Sequence, residues 1–495
     1  MFTLFTHPLL VGLSVLTFSF ACYRVAERPA EMTPEAAAVF FEAAPLDAQG
    51  DDALATVRRL DAEGRGTNGG RFPALPAQEH LRRAAIYIAN RAFAEARAHW
   101  QTLIERYPNH ENVPTALFGI GRSLYQERRY ADALPFFERL GRDHLNSKEG
   151  REGFYYVAAT LLRLSRPADA ATRYGEYAER FPQGERVENA YLNAIDSWRE
   201  AGRKTEALQW IARTRERFTG TATETNALFA RLRLAVAGSD WQSAFQTAEE
   251  LRTRSFGNGV QTTLSEVLYL RAYSLERAKQ TAPAIAAYQA INDKLSAYYG
   301  GLATERLLSL GNAGKQAAAT RLAGVRREAA AVAGNYPAPF REPLLQAVKG
   351  KQVDPRFVLA IMRQESSFNP RARSQAAARG LLQLTMDAAT EYAPQTSIKS
   401  FVEEDLYRPD INIPLGVAYL AELSRMFPNL PEAVAASYNG GEDNVARWVE
   451  RAGHTDNGVF TSEIGFAESK DYAMKVMANY RAYRLLYTAD LRRQR

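Results

Sequence analysis

From about residue 80 apolar positions recur at helical spacing, and the pattern itself repeats. The blocks Phe93-Ala-Glu-Ala96, Tyr130-Ala-Asp-Ala133, Pro167-Ala-Asp-Ala170, Lys204-Thr-Glu-Ala207 and Trp241-Gln-Ser-Ala244 close on alanines 37 residues apart; Ala284 follows 40 after Ala244. A second marker sits at a fixed offset from its alanine: Glu105-Arg-Tyr-Pro108, Glu179-Arg-Phe-Pro182 and Glu216-Arg-Phe-Thr219, with Arg142-Asp-His144 as a degenerate copy. Small alanines let two helices approach closely. The residue three before, often aromatic, fills the turn between them, and Pro or a polar residue ends the second helix. Such a hairpin cannot bury its apolar face alone, so the units are expected to stack into a solenoid over residues 79–290.

These units resemble tetratricopeptide repeats, slightly longer than that family's usual 34 residues. Solenoids offer large concave surfaces to proteins or polymers, but can equally be plain scaffolds. Residues 291–345 stay helical and form a connecting domain; prolines at 337, 339 and 343 mark its end, so the last domain is expected at 346–490. Near its start stands Val353-Asp-Pro-Arg-Phe-Val-Leu-Ala-Ile-Met-Arg-Gln-Glu365-Ser-Ser-Phe-Asn-Pro370. Asp354 suits the N-cap and Pro355 the first helical position. Pro370 limits the far end. Phe357, Ile361 and Glu365 are each four apart, with Met362 three before Glu365, so a carboxylate continues an apolar stripe. A carboxyl held against apolar surface has a raised pKa, which suits a general acid. Taken alone, the same Glu is also what the solvated end of an ordinary core helix carries.

The chain has 495 residues, enough for two to four domains, with 46% hydrophobic and 24% charged residues. Its net charge of +6 comes from interspersed charges, which fits an anionic polymer or surface; no nucleic-acid motif is present. The only cysteine, Cys22, follows an apolar run, Leu9 to Ala21, too short for a comfortable membrane span. Residues 1–21 therefore read as a signal peptide, although Met1–Pro8 lacks Lys or Arg. Cleavage after Ala21 would leave Cys22 for lipid attachment and membrane association; an uncleaved anchor is the alternative. Residues 22–78, rich in Ala, Glu, Pro and Asp and then Gly64-Arg-Gly-Thr-Asn-Gly-Gly70, are expected to form a poorly ordered tether.

Beyond Glu365 come Ser374, then Gly380-Leu-Leu-Gln383, Asn412-Ile-Pro-Leu-Gly416-Val-Ala-Tyr419-Leu420, Tyr438-Asn439-Gly-Gly441 and Glu463-Ile-Gly-Phe-Ala-Glu468-Ser-Lys-Asp-Tyr472. Separately these are weak. Tyr438-Asn439-Gly-Gly is a turn after a helix, and Tyr419 and Trp448 are more often core than ligand platforms. In this order and spacing they are similar to the catalytic domain of the soluble lytic transglycosylases, peptidoglycan-cleaving enzymes of lysozyme-like fold. The resemblance covers Val353 to about Tyr483. It reaches back to Tyr298-Tyr-Gly, Arg306-Leu307 and Tyr336-Pro-Ala-Pro-Phe340, which look like the connecting domain of the larger members. Three positions depart from the family pattern: Ala377 where Gly is usual, Met386 where Pro is usual, and Tyr438-Asn-Gly-Gly-Glu-Asp443 for Tyr-Asn-Ala-Gly-Pro-Gly.

The resemblance implies a mainly all-α chain, a tetratricopeptide-like α-solenoid followed by a lysozyme-like α-helical catalytic domain. An ordinary glycosidase needs a second carboxylate about 5–10 Å from the acid. Glu403, Glu404, Asp405, Asp410 and Glu463 are candidates, none in a second strong motif. The family uses one Glu as acid and then base, so Glu365 would cleave the MurNAc-GlcNAc β-1,4 bond and close 1,6-anhydro-MurNAc. By the resemblance Ser374 and Gln383 would contact the substrate or position Glu365, and Tyr438 would hold the sugar or the developing charge. Asn439 would fix the turn that presents Tyr438, and Glu463 would be an acid at the substrate groove or else a structural ion pair, whereas Glu468 and Tyr472 read as structural. No cofactor and no metal are implied. The implied partners are peptidoglycan glycan strands, with proteins on the solenoid, in a periplasmic setting with a lipid anchor in the outer membrane at Cys22. A hydrolase of goose-lysozyme type and a solenoid scaffold for cell-wall machinery are the alternatives.

Overall fold

Each expected repeat turn is built by a residue in the left-handed region. Arg91, Arg128, Ser165, Gly202, Ser239 and Lys279 all have φ between +55° and +69°. Each stands two residues before the second helix of its pair: Phe93–Arg106, Tyr130–Asp143, Pro167–Arg180, Lys204–Arg217, Trp241–Leu251 and Thr281–Gln289. The next backbone N–H reaches back five residues (Ala92 to Tyr87 O, Arg129 to Leu124 O, Arg166 to Leu161 O), closing the preceding helix. Only one of the six is glycine, so composition did not advertise these turns. The six alanines, Ala96, Ala133, Ala170, Ala207, Ala244 and Ala284, are completely buried. A larger side chain there would overpack the helix contact.

The computed structural model describes residues 51–453 and 456–494. It contains 23 α-helices and no strand among these residues. No helix among them is long and apolar enough to cross a membrane; the run 9–21, Cys22 and the rest of the expected tether to residue 50 lie outside them. The expectation of a poorly ordered tether through residue 78 is corrected from residue 51 onward. Asp51–Gly66 is a helix that buries Leu54 and Val57. Its Asp61 accepts from Arg83 (2.5 Å), Tyr87 (2.5 Å) and the His99 imidazole (2.9 Å). A few apolar side chains at helical spacing outweigh a composition that offers little to pack.

The solenoid does not end free. Its first turns meet the C-terminal domain through Arg91 with Asp387 (2.7 Å), Arg128 with Glu442 (2.5 Å) and Arg373 with Asn90 (3.0 Å). Its later helices meet the same domain through Lys470 with Glu266 (3.0 Å) and Tyr269 with Asp456 (2.9 Å). The helical arc thus closes onto the domain it precedes. One buried apolar cluster runs from Leu228 to Leu491, and the helix Arg341–Val348 crosses the boundary expected at 345.

Candidate active site

The helix carrying Glu365 spans Pro355–Ser366, capped as the sequence suggests: the Asp354 carboxylate accepts from the Arg356 N–H at 2.8 Å. It stops at Ser367 and Phe368, both left-handed (φ +50° and +67°), just before Pro370. Phe357, Ile361 and Met362 are buried, and Glu365 is only 1% exposed. The helix packs against Ala467–Leu486, from which the Tyr472 hydroxyl donates to Glu365 Oε1 at 2.6 Å. Tyr472, read from sequence as structural, therefore touches the candidate acid.

The segment 374–384 folds as a tight double turn beside the helix end. Ser366 Oγ donates to Leu381 O at 2.8 Å, fixing the two together. Asn412, fully buried, donates to the carbonyls of Arg379 (2.9 Å) and Leu406 (2.8 Å) and accepts from the Leu382 N–H at 2.8 Å. Gly380 has φ +80°, and a Cβ there would stand 2.2 Å from Leu406 O, so no other residue fits. Ser374 sits in this turn: its Oγ accepts from the N–H groups of Ala376 (3.2 Å) and Ala378 (3.1 Å). Gln383 donates to Ala372 O (3.0 Å) and Gly380 O (2.9 Å).

Gln383, Tyr438 and Asn439 line a cleft of about 510 Å³; Ser374, Glu365 and Glu463 are not in its lining. The Tyr438 hydroxyl donates to Leu382 O at 2.6 Å, and Asn439 Oδ1 accepts from Ser469 Oγ at 2.7 Å. The rings of Tyr392, Tyr419 and Tyr438 follow one another at centroid distances of 4.7 Å and 5.1 Å along the cleft. Sequence reading left Tyr419 in the core and passed over Tyr392. Their signal lies in three separate helices and appears only when these converge. Trp448 is core, edge-on to Phe466. The opposite wall is unexpected, for it comes from the solenoid: Arg91, Tyr125, Tyr130, Tyr156 and Arg163 line it.

Glu463 is corrected from a substrate contact to a buried ion-pair centre. It is 1% exposed and held by Arg199, by Arg233 at 3.3 Å and by Arg451 at 3.5 Å. Burial alone would push its carboxyl up, but the three arginines outweigh burial and hold it below the usual range. Arg199 and Arg233 belong to the solenoid, so this glutamate locks the two parts together. Glu403, Asp405 and Asp410 lie outside the cleft, against Arg58, Arg408 and Arg408 respectively.

A helical domain that buries Glu365 at a helix end tied to the turn of a tyrosine-lined cleft, with helical hairpins in front, narrows the class. Residues 342–460 match the family described as the transglycosylase SLT domain, and residues 80–110 and 266–294 match the tetratricopeptide repeat. That C-terminal stretch belongs to the transglycosylase SLT family, and the array before it is of tetratricopeptide type. The soluble lytic murein transglycosylase of Escherichia coli is 31% identical over 157 residues, covering 31% of this chain and 24% of that protein. A Haemophilus influenzae protein that provisionally carries the same name is 37% identical over 155 residues, covering 31% and 26%. The chain thus spans about a quarter of the length of these curated relatives. Among solved structures, the lytic transglycosylase Slt of Pseudomonas aeruginosa, as an inactive mutant, aligns with 87% of this chain and 85% of its own, at 19% identity and a TM-score of 0.46.

Proposed function

We propose that this protein is a peptidoglycan lytic transglycosylase that cleaves the MurNAc-GlcNAc β-1,4 bond with Glu365 as its single acid and base. The observation that carries the reading is the enclosure of Glu365, 1% exposed at a helix end tied to the turn that presents Gln383 to the cleft. Glu365 donates its proton to the glycosidic oxygen as the bond to the anomeric carbon breaks. The resulting carboxylate takes the proton of the muramyl 6-hydroxyl, whose oxygen bonds to that carbon and closes the 1,6-anhydro ring. No water is consumed and the acid is restored. Tyr438 and the neighbouring tyrosine faces suit sugar rings. Gln383 and Asn439 supply polar contacts, and Ser374 shapes the turn.

Of the acids weighed as a second carboxylate, Glu463 is committed to buried arginines and Asp405 and Asp410 pair with Arg408. Among the acids that line the cleft, Glu127, Asp387 and Asp443 face Arg97, Arg91 and Arg128. Periplasmic residence, with lipid attachment at Cys22 and proteins docking on the repeats, belongs to the same proposal. Solubilisation of purified sacculi by the wild type and its loss in Glu365→Gln test the reading; equal activity of the two would overturn it.

A further inference from the structure

We propose that the first repeats give the cleft a carboxylate-binding wall centred on Arg163, so that the solenoid holds the charged appendages of the glycan while the C-terminal domain holds its sugars. The inference rests on the reading that the cleft takes a peptidoglycan strand.

Arg163 ends the helix Lys148–Arg163 and lines the cleft. Its Nε donates to the Tyr125 hydroxyl at 2.9 Å, and its guanidinium stands 5.7 Å and 5.8 Å from the ring centres of Tyr125 and Tyr130. Its Nη1 is buried and has no hydrogen-bond partner among the described residues. Three neighbouring charges of the lining are matched by partners. Arg91 pairs with Asp387 (2.7 Å), Arg128 with Glu442 (2.5 Å), and Glu127 with Arg97 (2.7 Å). No carboxylate of the described residues reaches ion-pair distance of Arg163; Asp443 acts on it only from farther away. Beside it, Arg122 stands 4.8 Å over the Tyr156 ring, and burial pushes its guanidinium down to about 10.

A guanidinium taken from water costs free energy unless an anion meets it. Its planar fork fits a carboxylate through two parallel hydrogen bonds. The tyrosines packed on Arg163 hold that fork at the cleft, facing a wall built from Tyr392, Tyr419 and Tyr438. A strand bearing sugars on one side and carboxylates on the other matches both walls. The carboxylate has two sources, the peptide stem or the lactyl group bared when the stem is removed.

Steady-state turnover by the full chain and by Arg163→Met decides between them. The substrates are soluble strands with stems, the same strands with stem carboxylates converted to amides, and strands stripped of stems. The expected result is a KM at least about tenfold higher on strands with free stem carboxylates, from the loss of the charge-assisted pair, with kcat near wild type and amidated strands unaffected. A KM rise confined to stripped strands supports the same wall with the lactyl group as its ligand. An unchanged KM on both carboxylate-bearing substrates, or an equal rise on all three, overturns it. Arg122→Gln gives the same comparison if Arg163→Met melts early. Calorimetric Kd values for these fragments on Glu365→Gln, with and without Arg163→Met, report on the wall even if the transglycosylase reading fails.

Discussion

The Tyr472 hydroxyl donates a 2.6 Å hydrogen bond to Glu365 Oε1 from a helix 107 residues further along the chain. The donor favours the ionised carboxylate, the form that the acid-then-base role proposed for Glu365 would use once its proton is given. Tyr472→Phe should lower kcat about tenfold or more. Because a donor to the ionised form is gone, the alkaline limb of the pH–rate profile should move to higher pH. A lowered rate with an unmoved limb would make Tyr472 a packing residue only.

Glu463 gives a prediction of the opposite kind, on stability rather than chemistry. Replacing it by Gln leaves Arg199, Arg233 and Arg451 buried around a neutral group. The cost should be about 3–5 kcal/mol, read as a lowered Tm, with the KM of the remaining folded enzyme unchanged. Since the arginines depress this carboxyl, its contribution is present above the unfolded pKa and fades as pH falls through the folded one.

Two neighbouring left-handed positions should respond in opposite ways. Ala377 sits at φ +57°, a conformation that costs a residue with a Cβ about 1 kcal/mol. Ala377→Gly should therefore be neutral or stabilising by up to about that amount. Gly380→Ala should disrupt the turn, because its Cβ would meet Leu406 O at 2.2 Å and Asn412 Nδ2 at 2.5 Å. Thermal melts of the two variants check the contrast.

Glu432 is a buried acid outside the mechanism. Burial pushes its carboxyl up to about 7 from an ordinary 4.5, against a weaker opposing hydrogen bond from the Tyr298 hydroxyl at 3.2 Å. A raised folded pKa means the fold prefers the protonated form. Its stability is fully present below about 4.5 and is lost as pH rises through about 7. The difference amounts to roughly 3 kcal/mol at high pH. Glu432→Gln should therefore melt above the wild type at pH 8 and alongside it at pH 5; an equal offset at both would contradict this.

The repeats were legible because each 37-residue period places an alanine where helices must touch, and burial allows nothing larger. The left-handed turns were not, since five of the six residues that form them are Arg, Ser or Lys. Glu365 was legible as a carboxylate ending an apolar stripe. Glu463 was misjudged as a substrate contact because a polar residue in a motif is spent on the fold as readily as on a substrate. Asp51–Gly66 was missed because Leu54 and Val57 find their partners only once the repeats have folded. The solenoid wall was invisible, because Arg163 and Gln383 are 220 residues apart and no local pattern joins them.

The most direct test of the central claim is the mass of the fragments released from purified sacculi. A single acid that recycles its proton through the muramyl 6-hydroxyl predicts anhydro-ended products from the wild type and none from Glu365→Gln. Products heavier by one water, with a free reducing end, would contradict it.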